Sequence, residues 1–334
     1  MKEEKPPMSL GLLIFPGFPM AALSSFVEPL RAANEITGRE AFRWLIVSEE
    51  DEPVTSSAGV PIMPDASLSD VGALDHLFFA SGPKARFLKP ARSHAALQRI
   101  LRQGTRLGAI SGGVFPLVRT GLQKEQPMSV HWCYTAAFQA EFPYVPVESS
   151  VICQSDDFTS ISGALAAFDH MLSLVGEHLG PEVMAEAACW FQHPFVRSPT
   201  FPQKQPALAT AKSQDLLPKQ VDRAIRYFAE NIEYPVSMTK VARAIGISTR
   251  NLERSFKEAT GQSPLQYYRK MRMKQARQLV LFTNDSIAQV AIMVGYSSSG
   301  TFRRHYREAF GATPRDERKA QDSFRVEFED CQPS

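Results

Sequence analysis

The chain has 334 residues, of which 44% are hydrophobic and 22% charged, with a formal net charge of +2. This length exceeds one ordinary domain of about 150 residues and predicts two domains, while the composition excludes collagen-like, disordered and disulfide-scaffold proteins. No apolar run approaches the roughly 20 residues of a membrane-spanning helix, and the acidic N-terminus is not that of a signal peptide, so we expect a cytoplasmic protein with no membrane partner.

Four cysteines, at positions 133, 153, 189 and 331, stand far apart and form no CxxC pair. Neither a zinc site nor a disulfide framework is therefore indicated, and we expect no metal and no cofactor. The small net charge conceals a division along the chain. Residues 1–217 carry a net charge of −5, residues 218–320 carry +10 and the last fourteen carry −3. Such a basic segment is typical of a module that binds a polyanion, joined here to a module with another task.

The first two hundred residues alternate short apolar runs with helical patterns. The runs read as strands at Leu10–Phe15, Phe42–Val47, Leu77–Phe79, Leu107–Ile110 and Met128–Val130. The helical stretches between them include Met20–Asn34, Ala91–Gln103 and Val114–Leu122. Because the strands lack the alternation of a half-exposed sheet, the pattern predicts a doubly wound α/β domain with a mostly parallel sheet covered on both faces.

One turn in this domain has the composition of a ligand site. In RLGAISGGVFPLVRTGL a strand enters a turn of small residues, Ser111, Gly112 and Gly113, and a helix follows. A serine at this position stands where a nucleophile would, and the backbone N–H groups of the turn could hold an anion. His131 follows twenty residues later, so a Ser–His dyad is one interpretation and a structural histidine is another.

The proline-rich, polar stretch between Arg197 and Pro218 has no sustained hydrophobic period and predicts a spacer. We therefore assign residues 1–196 to a first domain, 197–218 to a linker, 219–320 to a second domain and 321–334 to an acidic tail. After the linker the pattern is helical throughout. It includes a long helix over 264–282 that begins at a Ser263-Pro264 cap.

Two segments of the basic part repeat each other. Val241, Ala242 and Gly246 recur 49 residues later as Val290, Ala291 and Gly295, and Leu252, Phe256, Gly261 and Pro264 recur 50 residues later as Phe302, Tyr306, Gly311 and Pro314. Each copy reads as a helix, a turn at glycine and a second helix capped by a serine, which is Ser248 in the first copy and Ser297 or Ser298 in the second. The all-α domain is thus predicted to hold two helix-turn-helix units.

The second helix of each unit has polar residues on the face opposite its core residues. They are Arg250, Asn251, Glu253 and Arg254 in the first unit, and Ser299, Thr301, Arg303 and Arg304 in the second. Arg pairs with guanine, Asn with adenine and Glu with cytosine, whereas Ser and Thr discriminate weakly. On one helix such residues could simply be solvated, but two copies favour reading of double-stranded DNA. Position 300 is glycine, so we expect weaker base reading at the start of the second helix.

Residues 219–320 resemble the AraC/XylS-type DNA-binding domain, on the two units, the long connecting helix and the terminal pattern Phe302-x3-Tyr306-x3-Phe310-Gly311-x-Thr313-Pro314. The resemblance implies a transcription regulator whose recognition helices present the eight residues named above to DNA. It also implies a homodimer, joined through the first domain, and RNA polymerase as a partner.

Residues 8–195 resemble the class I glutamine-amidotransferase-like, PfpI-type fold, in which the turn residue is a cysteine followed by a histidine after the next strand. Here the turn residue is Ser111, a departure that argues against catalysis because a serine needs a well-placed base. The two domains together resemble the GlxA-like branch of regulators, and FPGFPMAALSSFVEPLRAAN and SVHW are similar to regulators of carnitine, glycine betaine and arginine catabolism. The resemblance implies a pocket for a small effector, with Glu28, Ser111, Gly112, Gly113, His131 and Trp132 as its residues.

We therefore expect a ligand-responsive, sequence-specific activator of catabolism of a nitrogen-containing metabolite, an amino acid or a quaternary amine. In such a pocket the turn would hold a carboxylate, while Glu28 and the ring of Trp132 would receive a cation. Trp132 could equally be core packing. Two other functions remain open: a serine-dependent hydrolase or amidase tethered to DNA, and a DNA-binding regulator that needs no ligand.

Overall fold

The computed structural model describes residues 6–122, 126–155, 158–193, 196–204 and 217–323, and its contacts divide the chain into two compact units, Met1–Gln203 and Lys204–Ser334. Most of the predicted linker, residues 205–216, and most of the predicted acidic tail, residues 324–334, lie outside the described residues. None of the described helices is long and apolar enough to cross a membrane.

The first unit is built on a seven-stranded sheet. Its strands, in chain order, are β1 (Met8–Ile14), β2 (Phe42–Ser48), β5 (Ala66–Ser67), β6 (His76–Ser81), β7 (Arg106–Ser111), β10 (Ile152–Gln154) and β11 (Phe158–Ile161). Their order in the sheet is β10-β11-β7-β6-β1-β2-β5, and every pair is parallel except β10 with β11. Two small two-stranded sheets accompany it, formed by β3 (Val54–Thr55) with β4 (Pro61–Ile62) and by β8 (Met128–Ser129) with β9 (Val147–Glu148).

Helices lie beside this sheet. They are α1 (Met20–Thr37), α2 (Pro90–Arg102), α3 (Val114–Arg119), α4 (Thr135–Glu141), α5 (Ala164–Leu179) and α6 (Pro181–Trp190). Helices α1, α5 and α6 pack on one another, and Leu10, Leu12 and Ile14 of β1 join Phe26 of α1 in one apolar cluster. Leu13, which points to the other side of β1, is also completely buried. The parallel α/β sheet that the apolar strands predict is thereby confirmed.

The fifth predicted strand, Met128–Val130, forms as β8 but lies outside the main sheet. Met128 and Ser129 pair in parallel with Val147 and Glu148 in a separate sheet. The place beside β7 is taken by β11, which the apolar pattern did not reveal. Its sequence, FTSI, contains two hydroxyl residues that are nevertheless buried. The Ser160 hydroxyl donates to the Cys153 carbonyl and accepts from the Ser129 N–H.

The second unit is described as seven helices over 217–323. They are α7 (Lys219–Glu230), α8 (Met238–Ile245), α9 (Thr249–Thr260), α10 (Pro264–Phe282), α11 (Ile287–Met293), α12 (Ser299–Phe310) and α13 (Pro314–Ser323). The predicted 264–282 helix is confirmed, with Ser263 and Gln266 forming a capping box at its start. Gly246, Gly261, Gly295 and Gly311, the four glycines of the repeat, all adopt the left-handed conformation that ends a helix, with φ between 73° and 76°.

Candidate nucleic-acid interface and effector site

The first recognition helix, α9, begins where the turn after α8 places Ser248. The Ser248 hydroxyl accepts a hydrogen bond from the Asn251 N–H and so caps the helix. Leu252 and Phe256, four residues apart, are buried and fix which side of α9 faces the core. The opposite side consequently exposes the four polar residues that the sequence singles out, which are Arg250, Asn251, Glu253 and Arg254.

The second recognition helix, α12, repeats this geometry with one difference at its start. Of the two candidate caps, Ser298 is the one whose hydroxyl accepts from the Thr301 N–H. Arg303 and Arg304 are exposed, but Ser299 and Thr301 are half-buried, and between them stands Gly300. The first turn of α12 therefore offers less polar side chain to a partner than the first turn of α9 does.

The two equivalent arginines are held alike. Arg254 lies 3.9 Å from Glu258, and Arg304 lies 3.8 Å from Glu308, one helical turn further along in each case. Both arginine side chains are 68% exposed. Exposed ion pairs of this kind contribute about 0.3–0.5 kcal/mol to stability, so each guanidinium can leave its glutamate for a stronger acceptor.

Helix α10 connects the two helix-turn-helix units and packs against both. Its Tyr268 ring stacks on Phe228 of α7 with centroids 4.5 Å apart, and Phe228 also meets Phe256 of α9. One helical turn further along, Arg272 donates to the carbonyls of Val294 and Gly295 in the turn before α12. The Arg272 guanidinium also lies over the Tyr296 ring, 4.3 Å from its centroid.

Polar contacts that the sequence did not predict stabilise the second helix-turn-helix. Glu317 of α13 accepts from the Tyr306 hydroxyl and pairs with Arg277 of α10. Burial and the neighbouring Glu317 raise the pKa of Tyr306, so its hydroxyl stays protonated as the donor. Arg318 donates to the carbonyls of Val280 and Asp285 and so ties α13 to the end of α10.

In the first unit, the small-residue turn is a strained elbow. Ser111 ends β7 with φ of 58°, a conformation that a non-glycine residue adopts at a cost of about 1–3 kcal/mol. A Cβ on Gly112 would lie 2.4 Å from the Ser81 carbonyl oxygen, and one on Gly113 would lie 1.9 Å from that of Phe79. Glycine is therefore required at both positions because the elbow presses against β6. The Gly113 N–H donates to the Ile110 carbonyl, so it is not available to a ligand carboxylate.

Four polar side chains from the elbow and the segment after β8 form one hydrogen-bonded cluster. Ser111 and Cys133 both bond to the Tyr134 side chain, and Nδ1 of His131 lies 2.8 Å from the Cys133 sulfur. Burial raises the pKa of Cys133 to about 12 and that of Tyr134 to about 12, and it lowers the pKa of His131. At neutral pH the cluster is consequently uncharged.

Beside this cluster lies a hydroxyl that nothing in the sequence distinguished. Ser81 ends β6 and pairs in register with Ser111. Its side-chain oxygen is buried and has no hydrogen-bond partner among the described residues, an arrangement that costs about 1–3 kcal/mol unless a bound molecule supplies one. Since it lies at the carboxyl end of a parallel strand, it is at the edge of the sheet where such folds bind ligands.

The remaining predicted pocket residues divide into two groups. Trp132 follows His131 directly, and their ring centroids lie 5.4 Å apart. The backbone N–H of Trp132 donates to the side-chain oxygen of Gln203. Glu28 lies on α1, where its carboxylate accepts two hydrogen bonds from Arg31 and its side chain is 38% exposed. No hydrogen bond or ion pair among the described residues connects Glu28 to the elbow, so its place in a pocket stays a prediction.

Comparison with known proteins gives matches to both parts of the chain. A model of the DJ-1/PfpI family matches residues 13–176, and a model of a helix-turn-helix domain matches residues 241–320. The HTH-type transcriptional regulator GbdR of Pseudomonas aeruginosa is 35% identical over 96% of this chain and 86% of its own length. GlxA of Rhizobium meliloti is 29% identical over 91% of this chain and 94% of its own. CdhR of Pseudomonas aeruginosa is 29% identical over 92% and 90%.

Proposed function

Because this chain belongs to the HTH-type transcriptional regulators that join a DJ-1/PfpI domain to an AraC-type helix-turn-helix domain, we propose that it reads a DNA site with two recognition helices and responds to a small effector held at the Ser111 elbow. One observation carries the proposal: a duplicated helix-turn-helix in which both second helices turn arginines outward at equivalent positions, Arg254 and Arg304.

The base-reading residues follow from the exposed faces. Arg250, Asn251 and Arg254 of α9 offer donors for guanine and adenine, and Glu253 can accept from cytosine. In α12 the corresponding task falls mainly on Arg303 and Arg304, with Ser299 and Thr301 at the rim. The net charge of +10 over 218–320 supplies attraction to the phosphates at any sequence.

The test of DNA reading is selection of duplexes by the full chain from a random library, followed by footprinting of the enriched sequence. We expect two protected major-groove segments about 34 Å apart, one for each recognition helix, since two helices held in one unit reach successive turns of the duplex. Enrichment of no sequence, or protection of a single segment only, would contradict two-helix reading.

An uncharged pocket favours a particular class of effector. With Cys133 and Tyr134 protonated and His131 neutral, the elbow offers hydroxyls and hydrogen-bond donors instead of a formal charge. The Trp132 ring can attract a quaternary or primary ammonium by cation–π interaction, while the Ser81 hydroxyl can donate to a carboxylate. A small zwitterion, such as a betaine or an amino acid, carries both of the groups that these side chains would bind.

Tryptophan fluorescence tests the effector directly, because the three tryptophans, Trp44, Trp132 and Trp190, all precede residue 204. Urea unfolding of the full chain, followed by this signal, is repeated with glycine betaine, carnitine and arginine. The true effector should stabilise the first unit by about 2.7 kcal/mol at a hundred times its dissociation constant. Trp132→Phe should retain part of this effect and Trp132→Ala should lose it, whereas stabilisation by none of the three compounds would contradict this effector class.

The same geometry argues against a serine hydrolase. A serine nucleophile needs a base within hydrogen-bond reach, and here Ser111 bonds to Tyr134, while no hydrogen bond among the described residues joins Ser111 to His131. We accordingly propose that the elbow binds without reacting. Ser111→Ala should leave effector binding within about threefold of the original, and loss of the response with binding intact would revive the acyl-enzyme alternative.

Two partners complete the proposal. A homodimer formed through the first unit would place two DNA-binding units on repeated half-sites, and an activator bound there would contact RNA polymerase. The alternative is a regulator that needs no ligand. The unfolding experiment with the three compounds distinguishes it from a ligand-responsive regulator.

A further inference from the structure

The last described residues of the first unit lie along the sheet as a strap, which we define as residues 198–203. The Val151 N–H donates to the Phe201 carbonyl at 2.8 Å, and the Gln203 N–H donates to the Ser149 carbonyl at 2.8 Å. The Ile152 N–H donates to the Pro199 carbonyl at 3.1 Å. The chain therefore does not leave the domain at once but first pairs with residues 149–152.

At the C-terminal end of the strap, the side chain of Gln203 bonds to the backbone of residues 130–132, which include the predicted effector residues His131 and Trp132. The Gln203 amide oxygen accepts from the Trp132 N–H at 3.0 Å. Its amide nitrogen donates to the Val130 carbonyl at 2.9 Å and to the Ser150 carbonyl at 3.1 Å. Two of these bonds bracket His131, so Gln203 grips the backbone on both sides of a predicted effector residue.

The near end of the strap is fixed separately. Just before it, Arg197 pairs through Nε with Asp169, a carboxylate on α5 that is completely buried. Asp169 also accepts from the Arg197 N–H at 3.3 Å and lies 2.7 Å from Nε2 of His193. A buried ion pair therefore anchors this end of the strap independently of residues 130–132.

We propose that Gln203 couples the elbow pocket to the linker. Movement of residues 130–132 makes or breaks the Gln203 bonds, and this binds or releases the strap from which the chain continues toward the DNA-binding helices. The role of the effector in causing that movement rests on the proposed function. An effector shifts this equilibrium only by its difference in affinity for the bound and released strap, and Gln203 is the residue through which that difference acts.

Hydrogen exchange of the full chain, without any ligand, tests the coupling. Gln203→Ala should speed exchange at the Trp132 amide by about fivefold or more, since that amide loses its acceptor. Gln203→Glu keeps the acceptor but places a carboxylate oxygen against the Val130 and Ser150 carbonyls, so it should release the strap while changing the Trp132 amide less. Ser198→Ala is the matched control, because among the described residues the Ser198 hydroxyl bonds only with Thr200, within the strap.

A double-mutant cycle then distinguishes coupling from simple support. His131→Ala serves as the probe of the pocket and should change exchange at the Phe201 and Gln203 amides by about fivefold when Gln203 is present. In the Gln203→Ala background it should have no further effect. Unchanged exchange at Trp132 in Gln203→Ala, or a His131→Ala effect that persists without Gln203, would overturn the proposal. Failure of every effector to bind the original protein would contradict the effector assignment instead, since the cycle uses no ligand.

Discussion

The two helix-turn-helix units share a backbone plan and differ in what holds them and in what they expose. Both recognition helices have a serine cap, a left-handed glycine at the end and an arginine paired with a glutamate four residues on. The first helix-turn-helix is supported by the aromatic rings around Phe228. The second has its own aromatic contacts, from Tyr296 to Phe302 and from Phe302 to Tyr306, and adds the charged contacts of Arg272 and Glu317. A duplicated sequence can thus keep its fold and an apolar core while one copy adds polar interactions.

The exposed faces differ in the same way. Aligned fifty residues apart, Arg250 corresponds to Gly300 and Asn251 to Thr301. Asn251 also accepts from Arg254 at 3.3 Å and so helps to position that guanidinium, a contact that Thr301 is too short to copy. We infer that α9 carries most of the base specificity and that α12 contributes mainly through its arginines.

The largest effect is expected when the apolar support of the first helix-turn-helix is removed. Phe228→Ala deletes a fully buried ring between Tyr268 and Phe256 and should lower the free energy of unfolding of the whole helical domain by about 3–5 kcal/mol. Urea unfolding by circular dichroism measures the loss, and tryptophan fluorescence reports the α/β domain separately. Tyr234→Ala, at a ring that is 76% exposed, is the control and should change stability by less than about 0.5 kcal/mol. A loss below about 1 kcal/mol for Phe228→Ala would contradict apolar support.

Removing the polar support of the second helix-turn-helix should cause a smaller loss of stability, one that depends on salt. Glu317→Gln removes the charge that faces Arg277 and weakens the acceptor of Tyr306, and should cost about 1–3 kcal/mol. Added salt screens the pair, so the loss should shrink between about 0.1 and 1 M sodium chloride. Phe228→Ala should show no such trend, and equal salt dependence in both variants would remove the distinction between the units.

Base reading should be unequal between the helices. Arg254→Ala should cost about 1–3 kcal/mol on the selected duplex and relax base choice at one position. Ser299→Ala, at a half-buried position, should cost less than about 0.5 kcal/mol. Fluorescence anisotropy on selected and random duplexes measures both. If Arg254→Ala weakened both duplexes equally, its partner would be a phosphate, and a large loss for Ser299→Ala would give α12 an unexpected share of the specificity.

The smallest expected effect is a gain in stability. Gly300 has ordinary helical space around it, because a Cβ there would meet only the Ser298 hydroxyl oxygen, at 3.7 Å. Gly300→Ala should therefore stabilise the second unit by about 0.5–1 kcal/mol through the lower entropy of its unfolded chain. Gly295→Ala is the contrasting variant, since its φ is 75° and a Cβ would lie 2.5 Å from the Pro235 ring. Thermal unfolding that ranks these two the other way round would refute this account of the α12 start.

Much of the second unit could be predicted because helices announce themselves locally. Serine caps, terminal glycines and a 3.6-residue apolar period are properties of a few adjacent residues, and the repeat displays each of them twice. The sheet was predicted less completely. Strand β11 was missed because its buried Thr159 and Ser160 look polar in sequence, and only their hydrogen bonds across the fold explain their burial.

The sequence by itself determined the α/β and helical halves, the paired recognition helices and the serine at the elbow, since each depends on residues close together in the chain. Tertiary structure alone decided that Nδ1 of His131 lies against Cys133, that Ser81 is buried beside the elbow, and that Gln203 bonds to residues about seventy positions earlier. Such contacts join residues far apart in sequence, and their partners are chosen by the packing of strands and loops that no local pattern records.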